Sequence, residues 1–88
     1  PLENSPEIAV MKKAQGLIQR RKYVEAEAYL NQYLAAHPSD GDVRFMMGFL
    51  MIQEKKKALA LMQFQKCVQD AKDPIIRKMA EQYIKKLH

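Results

Sequence analysis

GDVRFMMGFLMIQ, residues 41–53, is the stretch of sequence that decides the fold. Between Val43 and Ile52 its side chains are apolar nearly all round, and only Arg44 and Gly48 interrupt the run. A helix without a polar stripe is typical of the middle of a packed domain, because each of its faces must be covered. The stretch therefore predicts a central third helix over about residues 41 to 53.

The segment before this helix predicts another helix. Residues 23 to 36 carry Ala, Tyr and Leu at three- and four-residue steps, and the pattern stops at His37-Pro38. Ser39-x-x-Asp42 then has the spacing of a capping box for the central helix, with Asp in place of the usual Glu. A second helix over about 23 to 36 and a turn at 37 to 40 follow from this pattern.

Three further helices are predicted around these two. Ser5-Pro6-Glu7 has the cap, first-turn proline and first-turn acid of a helix start, and Arg20-Arg21-Lys22 marks the following turn. A fourth helix follows Lys55-Lys56-Lys57. Asp73-Pro74 opens a fifth, whose apolar residues lie on one side.

Composition gives the same fold class. Ala, Leu, Lys, Gln, Glu, Met and Arg make up 53 of the 88 residues, Thr and Trp are absent and only three glycines occur. This inventory favours helices over strands, and the length allows one domain. We therefore expect a single all-α domain over residues 1–88.

The same counts argue against several classes of protein. Two histidines, two serines and one cysteine are too few to assemble a catalytic set, and no phosphate loop or metal-ligand spacing occurs, so we expect no enzyme, cofactor or metal. No run approaches the roughly 20 apolar residues of a membrane span, and PLENSPEI lacks the order of a signal peptide. A cytoplasmic protein is expected, although the start at Pro1 leaves open whether a leader was removed.

An internal repeat organises the chain. A shift of 34 residues places Ala14 on Gly48 and Ala26 on Ala60. It also places apolar residues on one another, pairing Leu17 with Met51, Leu30 with Phe64, Tyr33 with Cys67, and Leu34 with Val68. The period predicts repeat one over about 7–38, repeat two over about 41–73, and a capping helix over about 74–87.

These residues and this period resemble the tetratricopeptide repeat (TPR), a 34-residue unit of two antiparallel helices with small residues where the helices cross and a closing proline, here Pro38. The resemblance implies a TPR-like stack of two repeats plus a fifth helix. The alternative is an unrelated five-helix bundle with evenly spaced loops.

In that family the first helices of successive repeats line a concave face that holds a peptide. The resemblance therefore implies a partner-binding groove lined by Ile8, Met11, Gln15, Ile18, Phe45, Met46, Phe49, Ile52, Ile76, Met79 and Tyr83. Met and Phe side chains suit the apolar face of a partner helix, because thioethers adapt to different shapes. A clamp for a C-terminal carboxylate is disfavoured, since the matching positions lack its Lys, Asn and Arg. Two alternatives remain open here: core filling by Phe45, Phe49 and Met79, or coverage by a second copy of the chain.

Charges are expected to separate to opposite edges of such a stack. The predicted basic rim consists of Arg20, Arg21, Lys22, Lys55, Lys56, Lys57, Lys85 and Lys86. The predicted acidic rim consists of Glu3, Glu7, Asp40, Asp42, Asp70 and Asp73. With a net charge of +5, the basic rim is interpreted as a solvated edge or as a surface for an acidic partner. Nucleic acid is disfavoured, since no aromatic residues alternate with these bases.

The function predicted from this reading is a non-catalytic protein-interaction module that binds an apolar or amphipathic helix. The small size and the Asp73–Ile76 stretch are similar to the small TPR chaperones of type III secretion needle subunits, which implies an aggregation-prone helical partner and a second small co-chaperone. The alternatives are a basic-rim binder of nucleic acid or acidic protein surfaces, and a scaffold fragment of a longer TPR array. No membrane partner is expected.

Overall fold

The computed structural model describes residues 6–88. Over that range the chain forms five α-helices and no strand: α1 (Pro6–Gln19), α2 (Tyr23–Ala36), α3 (Gly41–Gln53), α4 (Lys57–Asp70) and α5 (Pro74–Leu87). The all-α prediction is confirmed, and the helix boundaries lie close to those predicted. The cap predicted at Ser5 and the acidic-rim position at Glu3 lie outside the described residues.

Two helices, α3 and α5, begin at an aspartate whose side chain caps the helix. Asp73 caps α5 as predicted: its side chain accepts a hydrogen bond from the Ile75 backbone N–H at 2.9 Å, and Pro74 follows it. The capping box predicted at Ser39 is wrong. Asp40 is the N-cap of α3 and its Oδ1 accepts from the Val43 N–H at 3.1 Å. A cap satisfies the N–H two or three residues later, and a helix starting at Gly41 gives that position to Asp40.

The turns after α1 and α3 are alike in backbone geometry. Arg21 and Lys55, which are 34 residues apart, both adopt positive φ, at 60° and 62°. The next residue in each turn, Lys22 or Lys56, donates its N–H at 2.8 Å to a carbonyl five residues earlier. Both bonds are typical of an α-helix whose carboxyl end is closed by one residue in the left-handed conformation. The two turns that the 34-residue offset aligns therefore have the same backbone conformation.

Helix α3 packs against all four other helices. Its amino end lies against the end of α4, since a side chain at Gly41 would collide with the backbone of Ala71. Its middle lies against the middle of α4, where Gly48 faces the ring of Phe64. These contacts show that α3 and α4 run antiparallel. The prediction that residues 41–53 form the central helix is confirmed.

Contacts between the remaining helices are sequential. Helix α1 contacts α2 and α3, and α5 contacts α3 and α4, whereas α1 and α2 make no Cα approach to α4 or α5 within 8 Å. Each helix thus packs on its neighbours in sequence, and α1 and α5 also pack on α3. Ala14, Ala26, Ala60 and Phe64 are fully buried at these contacts.

Among residues 6–88, no helix has the length and apolar composition needed to cross a membrane.

Candidate functional site: an apolar face between a basic and an acidic end

The exposed side of α3 carries a half-buried apolar ring. Phe49 packs against the core and is half-buried, and Gln53, one turn later, is exposed. Met46 and Asp42 lie on the same side of α3 at helical spacing and are buried. Phe49 is thus the large apolar side chain that this side of the central helix presents to solvent.

Helix α5 extends this apolar surface. Ile75, Met79 and Tyr83 follow one another at four-residue steps and so lie along one line of the helix. The Tyr83 ring lies 5.9 Å from the Phe45 ring of α3, measured between centroids, which places this line beside α3. Ile75 is 68% exposed and Met79 is 40% exposed. We call the surface of Phe49, Met79 and Ile75 the Phe49 face.

Part of the groove predicted from the sequence is buried in the structure. Ile18, Phe45 and Met46 are buried by the chain itself. Of the three residues in the core-filling alternative, Phe45 is thus buried, whereas Phe49 is half-buried and Met79 is exposed. The reason for Phe45 is an aromatic cluster: its ring lies 5.5 Å from that of Phe64, which in turn stacks on Tyr83 at 5.0 Å.

The other predicted groove residues keep access to solvent. Gln15 is exposed and Met79 largely so. The half-buried members are Ile8, Met11, Phe49, Ile52, Ile76 and Tyr83. On the 34-residue offset, Met11 and Gln15 of α1 correspond to Phe45 and Phe49 of α3. The apolar surface that a partner could contact is therefore narrower than the predicted groove and is formed mainly by α3 and α5.

The basic rim lies at the carboxyl ends of α1, α3 and α5. Burial and the nearby Glu27 carboxylate, in the second turn of α2, raise the pKa of Glu54 after the end of α3, so the turns after α1 and α3 lie at one end of the molecule. All eight predicted rim residues are exposed: Arg20, Arg21, Lys22, Lys55, Lys56, Lys57, Lys85 and Lys86. Within residues 6–88 the rim makes a single ion pair, between Lys56 Nζ and Glu54 Oε1 at 3.8 Å.

An acidic cluster occupies the opposite end. The carboxylates of Glu7, Asp40 and Asp42 approach within 4.8 Å of one another beside a cavity of about 300 Å³. The Tyr33 hydroxyl donates to Asp40 Oδ2 at 2.8 Å, and the Asp73 backbone N–H donates to Asp42 Oδ1 at 3.3 Å. These two bonds tie the end of α2 and the start of α5 to the start of α3.

The electrostatics of this cluster are unfavourable for ionised carboxylates. Burial, followed by repulsion from Asp40 and Asp42, raises the pKa of Glu7 above its usual range. Burial is also the largest cause that raises the pKa of Asp42. Burial and the hydrogen bond to Asp40 raise the pKa of the Tyr33 hydroxyl, so this group donates as a neutral phenol.

Sequence reasoning placed these acids on one rim but missed how closely they meet. Three carboxylates at this separation are the residues of the described chain that could hold a divalent cation, since such ions prefer oxygen ligands. Asp40-x-Asp42 was the local signal for such a site, and the 34-residue offset, which places Glu7 on Gly41, was the long-range one.

Cys67 is fully buried on α4, and burial raises the pKa of its thiol to about 12. A thiol in this state is not nucleophilic at neutral pH. This agrees with the packing role expected for a residue that corresponds by the repeat to Tyr33.

In comparisons with protein-family models, with curated proteins and with solved structures, the chain finds no match.

Proposed function

We propose that this protein is a non-catalytic interaction module whose Phe49 face binds the apolar side of a helix from a partner protein. One observation carries the proposal: α5 leaves Ile75 and Met79 exposed, and α3, which packs against α5, leaves Phe49 half-buried, while the core beneath them is filled. Single exposed apolar residues are common on protein surfaces, but adjacent ones mark interaction sites.

The proposed architecture is a TPR-like stack. The matching turns at Arg21 and Lys55, the antiparallel α3 and α4, and the sequential packing of helices support this proposal. In such a stack α1, α3 and α5 are equivalent first helices, so their exposed sides form one continuous surface. A helix of about four turns matches the length of that surface.

The test uses an amphipathic helical peptide of about 16 residues, selected for binding from a display library with a fixed apolar face. Phe49→Asp should weaken binding of the peptide about 100-fold or more, because the partner would bury an unpaired carboxylate. Isothermal titration calorimetry measures the affinity, and circular dichroism measures the helix content of the free variant. Val24→Asp is the control, since Val24 is 81% exposed on α2, away from the Phe49 face.

Because Phe49 is half-buried, Phe49→Asp alone could unfold the domain. Met79→Asp is the second variant: Met79 is more exposed, and its substitution should spare the fold and still weaken binding at least tenfold. The proposal fails if no peptide is enriched, or if folded Met79→Asp and Val24→Asp bind the peptide equally well.

The finer proposal is that the partner is a needle or filament subunit of a secretion system, which this module keeps from assembling in the cytoplasm. It is supported by the apolar surface, since subunits of this kind present aggregation-prone helices. Co-purification from the native host tests it: a small helical filament subunit should be retained by the wild-type protein and lost from Met79→Asp.

A further inference from the structure

The charge of the proposed binding surface changes along its length, from negative at one end to positive at the other. On α1 and on α3, residues that share one side of the helix follow each other at three- and four-residue steps. On α1 the order is Glu7, Met11, Gln15, Gln19, and on α3 it is Asp42, Phe45, Phe49, Gln53. Each line therefore runs from an acid through apolar and amide side chains towards the turn that follows its helix, and these turns hold Lys22 and Lys56.

The two lines point the same way. Glu7 and Asp42 meet in the acidic cluster, within 4.8 Å of each other and of Asp40. Lys22 and Lys56 lie in the equivalent turns at the other end and are the N-cap residues of α2 and α4. Neither lysine side chain makes a cap hydrogen bond, and both are exposed. Helix α5 follows the same order, with Asp73 at its start and Lys85 and Lys86 in its last turn.

The two ends differ in what they can offer to a partner. At the acidic end the aspartates are already engaged, since Asp40 accepts from Tyr33 and Asp42 accepts from the Asp73 backbone. At the basic end, seven of the eight cations have no ion-pair partner among residues 6–88. Unpaired cations at the end of an apolar surface complement an acidic segment and repel a basic one.

We propose that the partner helix is acidic at one end, and that it lies along α3, between α1 and α5, with this acidic end on the basic rim. This inference rests on the proposed function of the Phe49 face. The acidic cluster contributes by repulsion: it disfavours the reversed helix and so fixes the direction of binding. A second copy of this chain does not fit, since α5 carries Lys78, Lys85 and Lys86 beside its exposed apolar line.

The experiment compares three versions of the selected peptide with the same apolar face: acidic at one end, acidic at both ends, and neutral, with Gln at both ends. At 50 mM salt we expect the first to bind about tenfold more tightly than the neutral version and more tightly than the doubly acidic one. The differences should shrink at 0.5 M salt. Equal affinity for the neutral version, or tightest binding of the doubly acidic one, overturns the inference.

The protein side is tested with a matched pair of double variants. Lys22→Gln with Lys56→Gln should weaken binding of the singly acidic peptide about tenfold and leave the neutral peptide unaffected. Lys13→Gln with Lys66→Gln changes the net charge equally at exposed sites away from the rim, since Lys13 lies over the Tyr29 ring of α2, and it should leave both affinities unchanged. Equal effects of the two pairs overturn the inference.

These outcomes separate the two proposals. If Met79→Asp abolishes binding but the lysine pairs and peptide charges have no effect, the Phe49 face binds a helix and the charge direction is wrong. If Met79→Asp has no effect, the proposed function itself fails. If a single-stranded oligonucleotide displaces the peptide and the displacement requires Lys22 and Lys56, the rim is a phosphate-binding surface and the inference is overturned.

Discussion

At the scale of single residues, Gly48 shows how tightly the central helix is packed. A Cβ atom at this position would lie 2.7 Å from Cε1 of Phe64, whose ring is fully buried and stacked on Tyr83. Because the ring has no free space to move into, a glycine is required in mid-helix despite its cost of about 1 kcal/mol relative to Ala.

We therefore predict that the same change, Gly to Ala, has opposite effects on the free energy of unfolding at Gly48 and at Gly16. Gly48→Ala should lower the free energy of unfolding by about 1 to 2 kcal/mol, since overpacking exceeds the gain in helix propensity. Gly16→Ala should raise it by up to about 1 kcal/mol, because its Cβ would meet only the end of the Arg20 side chain at 3.4 Å. Urea unfolding measures both. Stabilisation by Gly48→Ala would contradict the close approach of α3 and α4.

The acidic cluster predicts a pH effect of defined sign. The pKa values of Glu7 and Asp42 are raised in the folded state, so folding favours their protonated forms. Stability contributed by these protons is fully present below the unfolded carboxyl pKa near 4 and is lost as the pH rises through the folded pKa. At pH 7 both groups therefore act against folding.

Asp42→Asn removes one charge and keeps an oxygen to accept from the Asp73 N–H. We expect it to melt about 2 to 5 °C above the wild-type protein at pH 7, with the difference vanishing near pH 3.5. Differential scanning calorimetry at several pH values measures this. Glu81→Gln, at an exposed site on α5, is the control and should change little. A destabilised Asp42→Asn at pH 7 would show that the hydrogen bond outweighs the repulsion.

At the scale of helices, existence and order could be predicted from the sequence because each turn has a strong local signal. Arg20-Arg21-Lys22 and His37-Pro38 lie between helices in the structure, and Asp73-Pro74 forms the start of α5. The cap of α3 was predicted one residue too early, since Ser39 and Asp40 have similar capping propensity and only the helix geometry decides between them. Burial at the groove positions could not be predicted, because it depends on how the helices pack together. The burial of Phe45, for example, depends on the Tyr83 ring of α5 lying against it.

The helix crossing itself gives a testable consequence. Ala60 is fully buried on α4, whereas Ala58, in the same helix, is exposed. Ala60→Leu should lower the free energy of unfolding by about 1 to 3 kcal/mol through overpacking, and Ala58→Leu should leave it within about 0.5 kcal/mol. Thermal unfolding followed by circular dichroism compares the two. Equal stability of both variants would mean that α4 does not pack closely at Ala60.

At the scale of the whole molecule, the repeat explains why charge and apolar surface are arranged together. Because α1, α3 and α5 follow one another with the same helix direction, their acidic starts gather at one end and their basic ends at the other. The apolar Phe49 face lies between them. The acidic cluster and the basic rim could be anticipated from the 34-residue offset, but the exposure of Met79 and Ile75 depends on the packing of α5, which departs from the strict period.

The measurement that tests the central claim most directly uses the six methionines as reporters. With ¹³C-labelled ε-methyl groups, NMR spectroscopy follows each one while the selected helical peptide is added. Met79 and Met11 lie on the proposed binding surface, Met62 is 44% exposed on α4 away from it, and Met47 and Met51 are buried. We expect addition of the peptide to change the chemical shifts of the Met79 and Met11 methyl groups strongly and to leave that of Met62 unchanged. Shifts confined to Met62, with Met79 unchanged, would contradict it.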